Sequence, residues 1–80
     1  MKEEQQIVED FSKKMLAKIQ LRHNRYAPLG WKTMDSKRLI SLLKGELVEL
    51  EEALKEKDKT HAKDEAIDVA NYALFIAESL

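Results

Sequence analysis

Four acidic residues in two spaced pairs are the part of this sequence best suited to chemistry. Glu46 and Glu49 stand three residues apart, and so do Glu65 and Asp68. At about 100° per residue, that spacing puts both members of a pair on one side of an α-helix, one turn apart. Two antiparallel helices bring such pairs face to face. Four carboxylates with no His or Cys among them make a hard-oxygen site, which suits Mg²⁺ or Mn²⁺ rather than Zn²⁺.

Glu-x-x-Glu alone carries little weight. Most such pairs are solvated faces, and Lys44, Lys63 or Arg38 offer ordinary salt bridges to these acids. The neighbours of the four acids set them apart. On the second helix Leu42, Glu46, Glu49 and Ala53 share a face beside an apolar seam of Ile40, Leu43, Leu47, Leu50 and Leu54, whereas Glu51, Glu52 and Glu56 point away from it. From Glu65 to Ala77 the third helix is apolar around most of its circumference. Its polar members, Glu65, Asp68, Asn71 and Tyr72, fall within an arc of roughly 120°. A helix of this kind is expected to be buried. Carboxylates on it must be neutralised, paired or metal-bound, because a bare buried charge costs several kcal/mol. The joint pattern favours a metal site over two unrelated surface pairs.

The elements that position the acids follow from periodicity. Ile7, Val8, Phe11, Met15 and Ile19 recur at helical spacing and predict a first helix from about Glu4 to Tyr26, stopped by Pro28. Residues 27–32 read as a loop that holds the only Pro and the only Trp of the chain. Asp35 or Ser36 can cap a second helix running to about Lys57, and Asp58 or Thr60 a third running from about His61 nearly to Leu80. The short connector makes the second and third helices antiparallel neighbours. The expected fold is all-α: a small antiparallel bundle of about three main helices in a single domain, residues 1–80, completed by oligomerisation because an 80-residue core is marginal.

Bulk properties narrow the classes. With no cysteine, disulfides and thiolate metal sites are excluded. A net charge of −1 gives no general attraction to nucleic acid or to an anionic membrane. The polar N-terminus does not start a signal peptide, and the longest apolar run, within Val69 to Ala77, is too short to span a bilayer. The expectation is a soluble cytoplasmic protein that binds neither a nucleic acid polymer nor a membrane.

The stretch from Glu46 through Glu49, fifteen intervening residues, then Glu65 through Asp68, resembles the Glu-x-x-Glu and Glu-x-x-Asp signature of the all-α nucleoside triphosphate pyrophosphohydrolases. Within that superfamily the chain is most similar to small MazG-like proteins. The likeness is carried by Gly30-Trp31-Lys32, by residues 47–54 and by residues 65–73. The resemblance implies hydrolysis of a nucleoside triphosphate to the monophosphate and pyrophosphate, in nucleotide-pool house-cleaning. It implies Mg²⁺, with Mn²⁺ as a possible substitute, held by Glu46, Glu49, Glu65 and Asp68. One glutamate, with Glu49 preferred, then serves as the catalytic base on the water. It also implies a homodimer or homotetramer. Many relatives carry another acid where this chain has Gly45; a glycine inside a helix suggests a close backbone contact, and the missing acid can alter the metal count or rate.

Several residues offer contacts to a nucleotide. Trp31 can stack on a base or plug the end of the bundle, and the resemblance favours stacking. Lys32 can meet a phosphate or simply be solvated. Arg22 continues the line of Phe11 and Met15, which suggests a buried ion pair or a phosphate contact. Asn71 can bond a sugar hydroxyl or base edge, and Tyr72 can bond phosphate or pack beneath the metal. His23 and His61 receive no catalytic role. Two alternatives compete. One is a phosphoribosyl-ATP pyrophosphatase, whose first motif Lys44-Gly45-Glu46 resembles, although the Gly-Trp-Lys loop is then unexplained. The other is a non-catalytic helical interaction module whose acids hold a structural ion.

Overall fold

The computed structural model describes residues 3–22 and 30–80, with Arg22 described in its backbone alone. Among these residues are three α-helices and no strand: α1 (Glu4–Arg22), α2 (Ser36–Lys55) and α3 (Lys59–Ser79), with a short 3₁₀ turn (Gly30–Thr33) ahead of α2. The chain is an all-α bundle, as its periodicity implies. The expected end of the first helix near Tyr26 and the stop at Pro28 lie outside the described residues. Gly30–Thr33, expected as open loop, is a closed turn: Met34 N–H donates to Trp31 O at 3.2 Å and Thr33 Oγ1 to Gly30 O at 2.8 Å.

Local chemistry sets the helix ends. The Asp35 carboxylate accepts the Arg38 backbone N–H at 2.8 Å, and the Asp58 carboxylate accepts that of His61 at 3.0 Å. Each satisfies a first-turn donor that has no partner within its helix. At the end of α2, Asp58 N–H returns to Ala53 O and Lys57 N–H to Leu54 O, with Lys57 left-handed at φ 59°. This Schellman closure turns the chain back at once, so α2 and α3 are antiparallel.

Helix α3 is the middle element, packed mainly on α2 and also on α1. It runs antiparallel to α1: its Asn71 meets Met15, and its Asp64 and Asp68 meet Lys18. Leu39, Ala53, Ala62, Ile67 and Phe75 form the buried apolar core. The face that α2 turns inward keeps only Leu43 and Leu50 of the expected seam. Leu39, Leu42, Leu43, Glu46, Leu50 and Ala53 face the bundle, whereas Ile40, Leu47 and Leu54 are 42%, 41% and 62% exposed. Both stripes repeat at helical spacing, and α3 is narrow enough to cover only one. Nor is α3 buried all round: Ala73, Leu74 and Ala77 face outward, because three helices cannot enclose the central one. On α1, Ile7 and Val8 are exposed while Phe11, Met15 and Ile19 are half-buried. No helix among the described residues is long and apolar enough to cross a membrane.

Candidate metal centre

The inward turn of α2 carries Glu46 to α3, and the antiparallel packing sets Glu46 and Glu49 against Glu65. Oxygens of these three carboxylates all lie within 4.8 Å of one another. Asp68, one turn along α3, belongs to a second triplet with Asp64 and Glu65, under the same 4.8 Å limit. The four acids singled out in the sequence thus fall into two overlapping triplets that share Glu65, and Asp64 is an addition. Glu65 and Asp68 are buried, at 7% and 4% exposure, Glu46 is half-buried and Glu49 is exposed. Glu51, Glu52 and Glu56 are exposed, as expected.

The ordinary salt bridges offered by Lys44, Lys63 or Arg38 do not form. Among the described residues the acids pair instead with Lys18 and His61. Lys18 Nζ lies 2.8 Å from Asp68 Oδ1 and 3.0 Å from Asp64 Oδ2. Burial works against its charge, but the hydrogen bonds and negative charge of Asp68 and Asp64 prevail and raise its pKa above the usual lysine value. His61, whose backbone lies in the cap region as expected, also places ring Nε2 3.1 Å from Glu65 Oε1.

The electrostatics of the first triplet are those of a crowded carboxylate site. Burial, the proton shared with Glu65, and the charge of Asp68, Glu49 and Glu65 push the Glu46 carboxyl up from 4.5 to about 8. For Glu65, burial opposes ionisation, yet hydrogen bonds with Glu46, Glu49 and His61 outweigh it and hold the carboxyl below its usual value. Near neutral pH, in the absence of a cation, Glu46 keeps a proton and Glu65 is ionised. Apart from the proton the two carboxyls share, no donor among the described residues reaches the buried Glu46 Oε2 and Glu65 Oε2. Buried polar atoms are rarely left so. Clustered carboxylate oxygens without donors fit a hard divalent cation, and Glu46, Glu49 and Glu65 are the residues placed to hold it, with Asp68 adjacent.

The remaining sequence candidates lie around this centre. Asn71 is 5% exposed; its Nδ2 donates to Met15 O at 3.2 Å and its Oδ1 is buried without a partner. Trp31 lays one ring face on Phe75, with centroids 4.6 Å apart and planes 11° from parallel, and its buried Nε1 has no acceptor. Tyr72 meets the same Phe75 edge-on at 5.8 Å. Lys32 Nζ sits 5.8 Å from the Trp31 ring centre. Phe75 lies about two helical turns beyond Asp68, roughly 10 Å along α3 at 1.5 Å per residue. An open recess of about 520 Å³ at that end is lined by Trp31, Lys32, Met34, Asp35, Ser36, the last two residues of α3 and Leu80 after it. The side chain of Arg22, and His23 and Arg25, lie outside the described residues. A Cβ at Gly45 would meet nothing within 4 Å, so the close backbone contact suggested there is absent.

Sequence reasoning missed Lys18. Its signal was present: Phe11, Met15, Lys18 and Arg22 form one line on α1 at helical spacing. Asp64 and the His61 ring were missed too, since only the packing of α1 and the first turn of α3 brings them to Asp68 and Glu65.

Comparison with known proteins bears on this geometry. A family model described as phosphoribosyl-ATP pyrophosphohydrolase matches residues 8–79, which include all the acids above. The chain is 35% identical over 72 residues to an uncharacterized protein of Archaeoglobus fulgidus, an alignment covering 88% of this chain and 77% of that protein. No solved structure matches the chain.

Proposed function

The chain belongs to the phosphoribosyl-ATP pyrophosphohydrolase family, and from that premise we propose that it hydrolyses a (deoxy)nucleoside triphosphate to the monophosphate and pyrophosphate. Cleavage of a phosphoanhydride bond in a nucleotide is the activity the family assigns. Choice of a nucleoside triphosphate, a role in nucleotide-pool house-cleaning in the cytoplasm, and Mg²⁺ as the ion (Mn²⁺ in its place) are our reading.

The observation that carries it is a pair of buried oxygens on Glu46 and Glu65, inside a carboxylate triplet, that no donor group among the described residues reaches. A divalent ion there would neutralise charge on the phosphate oxygens and acidify the attacking water. The chain's own groups divide the remaining work. Glu46 would release its proton to solvent where a cation is held, Glu65 is fixed by His61, and Asp68 is oriented by Lys18. Glu49, exposed at the rim, accepts the proton of the water as its oxygen bonds phosphorus and the phosphoanhydride bond breaks. Asn71 Oδ1 offers an acceptor to a sugar hydroxyl or base edge. Trp31, with one face given to Phe75, has its other face for a base, while Lys32, Arg22 and Tyr72 are our candidates for phosphate contacts. We also propose a homodimer or homotetramer, in which a second copy covers the exposed stripe of Ile40, Leu47 and Leu54.

One specific finding favours a second reading. The family description itself names phosphoribosyl-ATP, and Lys44-Gly45-Glu46 is compatible with that enzyme. A screen of canonical and modified triphosphates beside phosphoribosyl-ATP, detecting pyrophosphate with Mg²⁺, separates the two. Glu49→Gln and Asp68→Asn are expected to lower pyrophosphate release by about 10²–10⁴-fold, the usual scale for a lost proton-transfer group, with helical circular dichroism retained. Full activity in either variant overturns the site assignment. Absence of release from every nucleotide would leave the acids as a structural ion site.

A further inference from the structure

The two carboxylate triplets differ in what they already hold. Around Lys18 Nζ stand Asp68 Oδ1 at 2.8 Å, Asp64 Oδ2 at 3.0 Å and the Asp64 carbonyl oxygen at 3.4 Å. An ammonium has three donors, and here each faces an oxygen of the chain. Among the described residues no lysine or arginine enters the Glu46, Glu49 and Glu65 triplet; His61 touches one oxygen of Glu65, and no donor group reaches Glu46 Oε2 or Glu65 Oε2. The position of Lys18 is a product of packing. It lies on the α1 line of Phe11 and Met15 that faces α3, its side chain is only 19% exposed, and the backbone beside it is tied to α3 by Asn71 on Met15 O. An ammonium on a long surface stem pays entropy to stay at one partner. Lys18 is delivered to its partners by the fold.

We infer that Lys18 is the resident cation of the Asp64–Asp68 end, its ammonium holding the place a divalent ion would otherwise take. Divalent ions are then confined to the Glu46, Glu49 and Glu65 side. The inference rests on the reading that the first triplet binds a divalent ion. It goes beyond that reading by limiting the metal count and by naming a positioning residue for Asp68.

The test counts ions and watches the ammonium, both without nucleotide. In wild-type protein labelled with ¹⁵N-lysine, the Lys18 ammonium resonance, assigned by its loss in Lys18→Arg, is expected to persist when Mg²⁺ saturates the site. Its disappearance on Mg²⁺ binding would mean that the metal displaces Lys18, and overturns the inference. Manganese uptake followed by electron paramagnetic resonance is expected to give Lys18→Met a further Mn²⁺ per chain over wild type, Lys18→Arg none, and Lys18→Met with Asp64→Asn the wild-type count again. Equal counts in wild type and Lys18→Met overturn the inference while leaving the first triplet's metal intact. No Mn²⁺ in the wild type overturns the metal reading itself. Should Lys18→Met fail to fold, the wild-type resonance decides alone.

Discussion

The middle of the bundle and its aromatic end are built on opposite rules. In the middle, α3 buries Glu65, Asp68 and Asn71, and no donor group among the described residues reaches one oxygen each of Glu46, Glu65 and Asn71. At the end, Phe75 stacks on one face of Trp31 and meets Tyr72 in a T-shape, and the buried atom left without a partner among the described residues is the Trp31 indole Nε1. An apolar stack is finished once it excludes water. Crowded carboxylates are finished only by protons or cations. The end holds the bundle together, and the middle is organised to receive something. That separation explains how so small a domain can carry buried charge: the destabilising group and the stabilising group sit about two turns apart on one helix.

The strongest way to break this comparison is to mutate both regions in metal-free buffer and compare urea unfolding. Phe75→Ala is expected to cost about 3–5 kcal/mol, the usual range for a buried phenylalanine. At roughly 0.05–0.15 kcal/mol per residue, that is a large share of the stability of a chain this size. Glu65→Gln keeps an acceptor for His61 and removes one charge from the crowd, so it is expected to be neutral within about 1 kcal/mol, or stabilising. Equal losses in the two variants would mean that the carboxylates are structural, and the contrast fails.

A smaller effect sharpens the account of the middle. The Glu46 carboxyl titrates near 8 in the fold and near 4.5 in its ordinary state. Between those values the folded chain holds a proton that the unfolded chain has released, so this group stabilises the fold at low pH and that contribution is lost as pH rises through the window. Metal binding has the opposite sign, because the ion must displace the proton. Apparent Mg²⁺ affinity is expected to rise by up to about tenfold per pH unit until about pH 8 and then to level. Calorimetric titrations across that range check it, with Glu46→Gln predicted to flatten the slope. A wild-type profile already flat would show that Glu46 does not hold the proton.

The same contrast explains what was legible in the sequence. The cap regions (Asp35 or Ser36, Asp58 or Thr60), the turn between α2 and α3, and the approach of Glu46 and Glu49 to Glu65 follow from spacing and antiparallel pairing; which residue caps each helix, and that Asp68 groups with Asp64, do not. What spacing cannot supply is the choice between adjacent stripes. Leu39, Leu43, Leu50 and Ala53 repeat along α2 much as Ile40, Leu47 and Leu54 do, and only the rotation at which α2 packs on α3 decides which is covered. Lys18 was hidden for a related reason. A lysine on an amphipathic helix is ordinary until its partner is known, and its partners are 46 and 50 residues away. The Trp31–Phe75 stack joins the turn before α2 to the last third of α3, a contact between distant segments that neither segment announces.

The smallest expected effect tests whether the demands of the middle reach the backbone. Gly45 precedes Glu46 on α2, is exposed, and has open space where a Cβ would stand. Alanine is better than glycine in a helix interior by about 0.8–1.0 kcal/mol. Gly45→Ala should therefore raise stability by about 0.5–1 kcal/mol, a shift of a few degrees in Tm for a domain of this size, with pyrophosphate release unchanged. If stability rises but release falls tenfold or more, α2 must flex beside Glu46 during turnover, and the middle of the bundle is adapted in its backbone as well as its carboxylates. If stability does not rise, the helix around Glu46 is already held by the contacts of its inward face, and glycine there costs the fold nothing.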